Sequence, residues 1–321
     1  MTSDHPAHGV ALGAPAAARR PIGFMALLTG MTALAPLSLQ IFVPALPAIQ
    51  ASYGVQAGTA QLALSLSILA NAFATLSYGP VSDRLGRRPV ILAGLVAFLI
   101  GSAMCALAPD IWTLIVGRIV QAVGAAAGMV LGRAIVRDLY AREQAASMIA
   151  YLTMAMVVAP MLAPAVGAAL TDLAGWRSIF MALTVLGALM IWQCRQRLME
   201  TRRGGSGGHL LSGAGALLRS ADFIAYALQS AFAICTFFAF ISGAPYFMIE
   251  VLGRPATEYG LYFILISAGF MLGNFVAART TASRETVAPG KHTKRSLRTL
   301  CLDICSVDTG VAAEDPCGGY T

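Results

Sequence analysis

Arg118 lies inside an unbroken apolar run, roughly residues 111–136. A guanidinium at that depth costs several kcal/mol unless it faces water or a partner. Gln121 follows three residues later, on the same helical face. A fixed positive charge there would depress the pKa of any nearby acid and respond to its protonation. The second concentration of charge is Gly79-Pro80-Val81-Ser82-Asp83-Arg84-Leu85-Gly86-Arg87-Arg88-Pro89. It sets one carboxylate, three guanidiniums and two glycines between two apolar runs. Asp138 can pair with Arg84, Arg87 or Arg88, as a surface ion pair worth under about 1 kcal/mol. Enzyme chemistry is excluded by what is missing. No nucleophile–base pair, metal-ligand cluster or nucleotide loop occurs, and Gly204–Gly208 lacks the Lys-Ser/Thr of a phosphate loop. The six cysteines form no C-x-x-C pair. No cofactor and no metal site is therefore expected.

The elements that position these groups are long and apolar. Apolar residues make up 57% of the chain and charged residues 12%, about half the charge of a soluble domain. Eight runs approach membrane-spanning length: 22–47, 59–79, 89–108, 111–136, 146–170, 176–194, 221–247 and 258–279. They are too long and too continuously apolar for barrel strands, so they read as helices. If the amino terminus is inside, inner segments hold 18 Lys and Arg and outer loops only Arg177 and Arg254. That bias places the amino terminus and the 79–89 turn in the cytoplasm. The formal charge of +7 lies in loops, with no basic stripe interleaved with aromatics, so nucleic acid is not an expected partner.

Several motifs carry a family resemblance. Gly79, Asp83, Arg84, Gly86, Arg87 and Arg88 match the loop G-x-x-x-D-R-x-G-R-[RK] between helices 2 and 3 of major facilitator transporters. Leu114 to Gly124 resembles that family's fourth-helix motif R-x-x-Q-G, with two extra residues, Ala122 and Val123, before the glycine. The resemblance implies that Arg118, with Gln121, faces a central cavity and serves proton coupling. Arg133-Ala134-Ile135-Val136-Arg137-Asp138-Leu139-Tyr140, then Glu143-Gln144-Ala145-Ala146, resembles the Bcr/CflA drug-resistance branch. So do Pro44-Ala45-Leu46-Pro47 and Gly175-Trp176-Arg177-Ser178-Ile179-Phe180. Ala159 to Gly167 is similar to the proline-glycine motif of antiporters, with Ala168 in place of the second terminal glycine. It implies a hinge at Pro160, Pro164 and Gly167, since two prolines four apart remove backbone donors and bend a helix. Gln40 stands where the branch usually has an aspartate, and glutamine cannot titrate.

The fold expected is an all-α membrane protein of the major facilitator type. Residues 1–21 read as a disordered cytoplasmic lead-in and 22–194 as a six-helix bundle. Residues 195–220 read as a flexible basic linker, and 221–279 as two helices of an incomplete second bundle. Residues 280–321 read as a polar tail outside the native fold, so the chain looks truncated after its eighth helix. A cavity lined by Gln40, Asn71, Gln121, Tyr151, Met154 and Gln229 would take the substrate. The 79–89 residues with Asp138 would form a cytoplasmic gate. Ser67, Asn71 and Thr75 share one helical face. Gly124, Gly128 and Gly132 make a small-residue stripe for close helix packing. The function implied by the resemblance is proton-coupled efflux of drugs or other small amphipathic molecules across a bacterial inner membrane. The expected partners are that substrate, protons and the lipid bilayer, and the expected state is a monomer. The alternative is a truncated fragment that inserts but does not transport.

Overall fold

The computed structural model describes residues 22–140, 142–201, 221–255, 257–266, 268–269 and 272–273. Contacts divide the chain into residues 1–265 and 266–321, and the architecture below is that of the first unit. The expected lead-in 1–21, most of the linker and the tail 280–321 lie outside the described residues.

The described residues form helices. α1 is Ile22–Gln40, followed by a 3-10 turn Val43–Ala45 and α2 Leu46–Tyr53. Together these make one crossing, Gly23–Tyr53. Pro44 and Pro47 explain the break, because neither can donate to the carbonyl four residues earlier. Single crossings follow as α3 Ala57–Leu85, α4 Arg87–Ala106, α5 Ile111–Leu139, α6 Arg142–Ala174, α7 Arg177–Arg197 and α8 Ala221–Tyr246. A π turn, Phe247–Val251, ends α8. Among the described residues, seven helical segments are long and apolar enough to cross a membrane. For the expected eighth span, 258–279, the described part is the short apolar helix α9, Thr257–Ile266.

Two ends of the bundle are defined by contacts. At one end Tyr53 Oη and Arg177 Nη2 both donate to the Ala108 carbonyl, at 2.8 and 3.1 Å. Asp172 Oδ2 accepts from the Thr257 amide at 3.0 Å, so the start of α9 lies at the end of α6. At the other end α3, α4, α5 and α7 meet around Gly86, as described below.

α5 is the central helix, packed on α1, α3 and α4. Its glycines serve two neighbours. A Cβ on Gly124 would strike the α4 backbone at Gly94 and Phe98, whereas one on Gly128 would strike Met31 of α1. Gly132 lies against Thr32 of the same helix. The expected close-packing stripe thus joins α5 to both α4 and α1. In lipid, where apolar burial gains little, such close approach of backbones is a main source of helix association.

Candidate functional site

The charged turn is mostly helix, a correction to its reading as a loop. α3 runs through Pro80 to Leu85, and α4 begins at Arg87. Only Gly86 lies between them, at φ +100, ψ 154, a conformation that favours glycine. The turn is this short because α3 continues through Pro80 and the chain reverses at Gly86. Gly79 accepts a hydrogen bond from Ser82 Oγ at 2.9 Å.

Arg87 is the hub of this end. Its Nη1 lies 2.7 Å from Asp83 Oδ1, one turn earlier in the chain. Its Nε donates to Asp138 Oδ2 at 3.1 Å, and Nη1 also donates to Ser82 Oγ. One guanidinium therefore ties the end of α3 and the start of α4 to the end of α5. Of the three arginines open to Asp138, Arg87 pairs with it. Arg88 Nη2 donates instead to the Arg195 carbonyl of α7, at 3.1 Å. Arg84 sits in the last turn of α3, where a cation suits the helix dipole.

Sequence reasoning missed Glu200. Its two carboxylate oxygens accept from the backbone amides of Arg87 and Arg88, at 2.9 and 3.2 Å. It caps the start of α4 from a distant segment, satisfying amides that a helix leaves without partners. A Cβ on Gly86 would come within 2.8 Å of Glu200 Oε2, a second reason for glycine there. Leu198 and Thr201 beside it are buried. The linker expected from residue 195 is therefore helical to Arg197 and packed through Thr201, a correction to its reading as flexible from its start. The available signal was one acid within the run Arg195, Arg197, Arg202, Arg203.

Arg118 is buried, with 1% of its surface exposed. Its Nη1 donates to the Ser38 carbonyl at 3.0 Å and to Gln121 Oε1. Gln121 Nε2 donates on to Ser102 Oγ at 2.7 Å, which links α5 to α4. The Arg118 Cζ lies 4.0 Å from the Phe42 ring centroid, a cation–π contact. From Phe42 an aromatic column continues through Phe180 and Trp176 to Tyr53, with centroids 6.3, 6.1 and 5.6 Å apart. Arg177 closes the far end, 4.1 Å over the Trp176 ring. The residues singled out as Gly175 to Phe180 thus connect Arg118 to the opposite end of the bundle. The break after Gln40 turns Phe42 into this position. Arg118 Nε and Nη2 have no hydrogen-bond partner, and neither has Gln40 Oε1.

The expected cavity set divides. Gln40 and Gln121 are buried within the bundle. Asn71 is half-buried, and its Oδ1 accepts from Thr75 Oγ1 at 3.3 Å. Tyr151 and Met154 of α6 and Gln229 of α8 are exposed. Ser67 and Thr75 donate to carbonyls of their own helix, Ala63 and Asn71, so this polar face bonds within α3.

α6 passes through Pro160 and Pro164 as one helix. Gly167 has a further role that its motif did not indicate. A Cβ there would collide with the Ile41 carbonyl oxygen, at the break that follows α1. Among the described residues no cluster of metal-ligating side chains occurs.

Comparison with known proteins agrees with this architecture. The sequence is 34% identical over 264 residues to the Uncharacterized MFS-type transporter YdgK of Bacillus subtilis, covering 78% of this chain and 66% of that protein. It is 29% identical over 270 residues to Multidrug resistance protein D of Escherichia coli, covering 84% and 68%. The chain therefore spans about two thirds of the length of these relatives. Among solved structures, a bacterial homolog of the human lysosomal transporter Spinster, inward-facing and unoccupied, superposes with a TM-score of 0.66 at 21% identity. That match covers 81% of this chain and 63% of the other. The family profile of the Major Facilitator Superfamily matches residues 28–307, and the chain belongs to that superfamily.

Proposed function

We propose that the protein acts in secondary active transport, exporting drugs or other small amphipathic molecules in exchange for protons. The observation that carries this reading is Arg118, a guanidinium buried in the middle of a membrane bundle with two nitrogens, Nε and Nη2, unfilled. Such a charge is costly to keep and is by default a functional group. In this reading its free donors, with Gln121 and Gln40, exchange partners as a proton or substrate arrives. The names of relatives, such as Multidrug resistance protein D, support the substrate class.

The remaining roles follow from placement. The Gly86 end is cytoplasmic, because it gathers Arg84, Arg87, Arg88, Arg137, Arg195 and Arg197 while the opposite end holds Arg177 and Arg254. There Asp83, Arg87, Asp138 and Glu200 hold three helix ends together in one state of the cycle. Asn71, Tyr151, Met154 and Gln229 meet substrate, and Pro160, Pro164 and Gly167 let α6 flex against the break after α1. The protein works as a monomer in the bacterial inner membrane.

The test is efflux by the full chain in a drug-sensitive host that lacks its own exporters. Energised efflux should disappear in Arg118→Ala and persist in part in Arg118→Lys. Asp83→Asn should lower efflux without changing the amount inserted in the membrane. Fully proton-coupled efflux from Arg118→Ala would overturn the coupling role, and absence of efflux from the inserted wild-type chain would overturn the transport reading.

A further inference from the structure

Arg118 carries a charge that no acid answers. Asp and Glu occur only at or beyond the ends of the apolar runs. Among the described residues no carboxylate pairs with Arg118. Compensation falls to neutral groups. Two are the Ser38 carbonyl, 3.0 Å from Nη1, and Gln121 Oε1. The others are aromatic faces: the Phe42 ring lies 4.0 Å from Cζ and the Phe180 ring 6.0 Å. Both rings are fully buried. The negative face of a ring attracts a cation, and the attraction grows where water is excluded.

One backbone feature supplies two of these contacts. α1 ends at Gln40, so its last carbonyls have no partner within the helix. That of Ser38 is among them, and it accepts from Arg118. Phe42 stands at the head of the 3-10 turn Val43–Ala45, and its carbonyl accepts from the Ala45 amide at 3.0 Å. Pro44 fixes the backbone of that turn. The Phe180 ring backs Phe42 from α7 at 6.3 Å, and Gly167 of α6 packs against the carbonyl of its neighbour Ile41. The helix break and its surroundings thus hold an aromatic face against the guanidinium.

We propose that Phe42 is a positioning residue for Arg118. Its ring face keeps the guanidinium charged and in place, while Nε and Nη2, which have no hydrogen-bond partner, take up a ligand. The hold on Arg118 requires nothing of the activity; its part in coupling rests on the transport reading above.

The test replaces Phe42 by fluorinated phenylalanines carrying one, two and three fluorines, with Phe42→Leu as the end point. Fluorine withdraws the negative charge of the ring face and barely changes its volume, so the fluorinated chains fold even if Phe42→Leu does not. The first arm is reversible SDS unfolding of the purified full chain. Stability should fall stepwise, by about tenfold in the unfolding equilibrium at three fluorines, and the series should be flat in an Arg118→Met background. A series that is flat with Arg118 present, or equally steep without it, overturns the proposal. The second arm uses everted membrane vesicles with ethidium as the probe. The same series should lower accumulation driven by an imposed proton gradient, and Phe42→Leu should lose about tenfold more of it than of exchange down the ethidium gradient. Equal loss of both would make Phe42 a packing residue and overturn its positioning role. If wild-type vesicles accumulate no ethidium, the transport reading falls, and the unfolding series alone decides whether Phe42 holds Arg118.

Discussion

Replacing Gly101 by alanine sets two physical effects against each other. Gly101 is in α4 and faces α5. A Cβ built there would lie 2.6 Å from the Gly117 carbonyl oxygen, 2.7 Å from the Gln121 Cα and closer still to the Gln121 amide nitrogen. These are backbone atoms of another helix, so no side chain can rotate away. Ordinary contact begins near 3.4 Å, so the helices must part by at least about 0.8 Å, the difference between 3.4 and 2.6. Helix propensity alone favours alanine over glycine by about 0.8–1.0 kcal/mol. Overpacking a fitted interface costs about 1–3 kcal/mol. The clash wins, and the expected net loss reaches about 2 kcal/mol. The same separation would stretch the Gln121–Ser102 bond from its present 2.7 Å to about 3.5 Å, the outer limit of a hydrogen bond. The assay is reversible SDS unfolding of the purified chain, followed by circular dichroism. Gly243→Ala supplies the opposite sign. Gly243 is within α8 and a Cβ there meets nothing within 4 Å, so that variant should gain up to about 1 kcal/mol. If Gly101→Ala is as stable as wild type while Gly243→Ala gains, the backbone-contact argument fails.

Three further outcomes follow from the structure. Glu200→Gln should weaken the cap on α4 by about 0.5–2 kcal/mol, and limited trypsin digestion should then cut faster at Arg195 and Arg197; an unchanged cleavage rate would remove Glu200 from this role. The Thr113 amide and hydroxyl hold the Asp110 carboxyl below the usual carboxylate range. The cap it makes on α5 is therefore present above that range and lost as pH falls toward the lowered value, and the protection of the Thr113 amide relative to its intrinsic exchange rate should fall at acid pH in wild type but stay constant in Asp110→Asn. In a background with the native cysteines replaced, Asp172→Cys and Thr257→Cys should label from outside the cell and Arg137→Cys should not; labelling of Arg137→Cys in intact cells would reverse the proposed orientation.

The spans were legible because a bilayer demands some twenty apolar residues per crossing, a one-dimensional signal. Their ends were less so. α3 continues through Pro80, since a proline in a spanning helix is tolerated when neighbouring groups take up the freed carbonyl. Local pairings were also legible where partners lie three or four residues apart, as Asp83 with Arg87 and Arg118 with Gln121. Helix geometry fixes those neighbours whatever else the chain does.

What the tertiary structure alone decided are the partners far apart in sequence. Glu200 caps α4 across 113 residues, Phe42 covers Arg118, and Gly167 meets the Ile41 carbonyl. Composition determined that this chain would bury helices in lipid and keep few charges. It could not say that a glycine read as a hinge would be a point of backbone contact, or that Arg133 would lie against the Met156 sulfur. Those outcomes depend on how helices rotate about their axes, and in a membrane nearly every face is apolar enough to be buried. Hydrophobic patterning therefore leaves the rotation open. Close contact between backbones, and the need of each buried polar group for a partner, settle it.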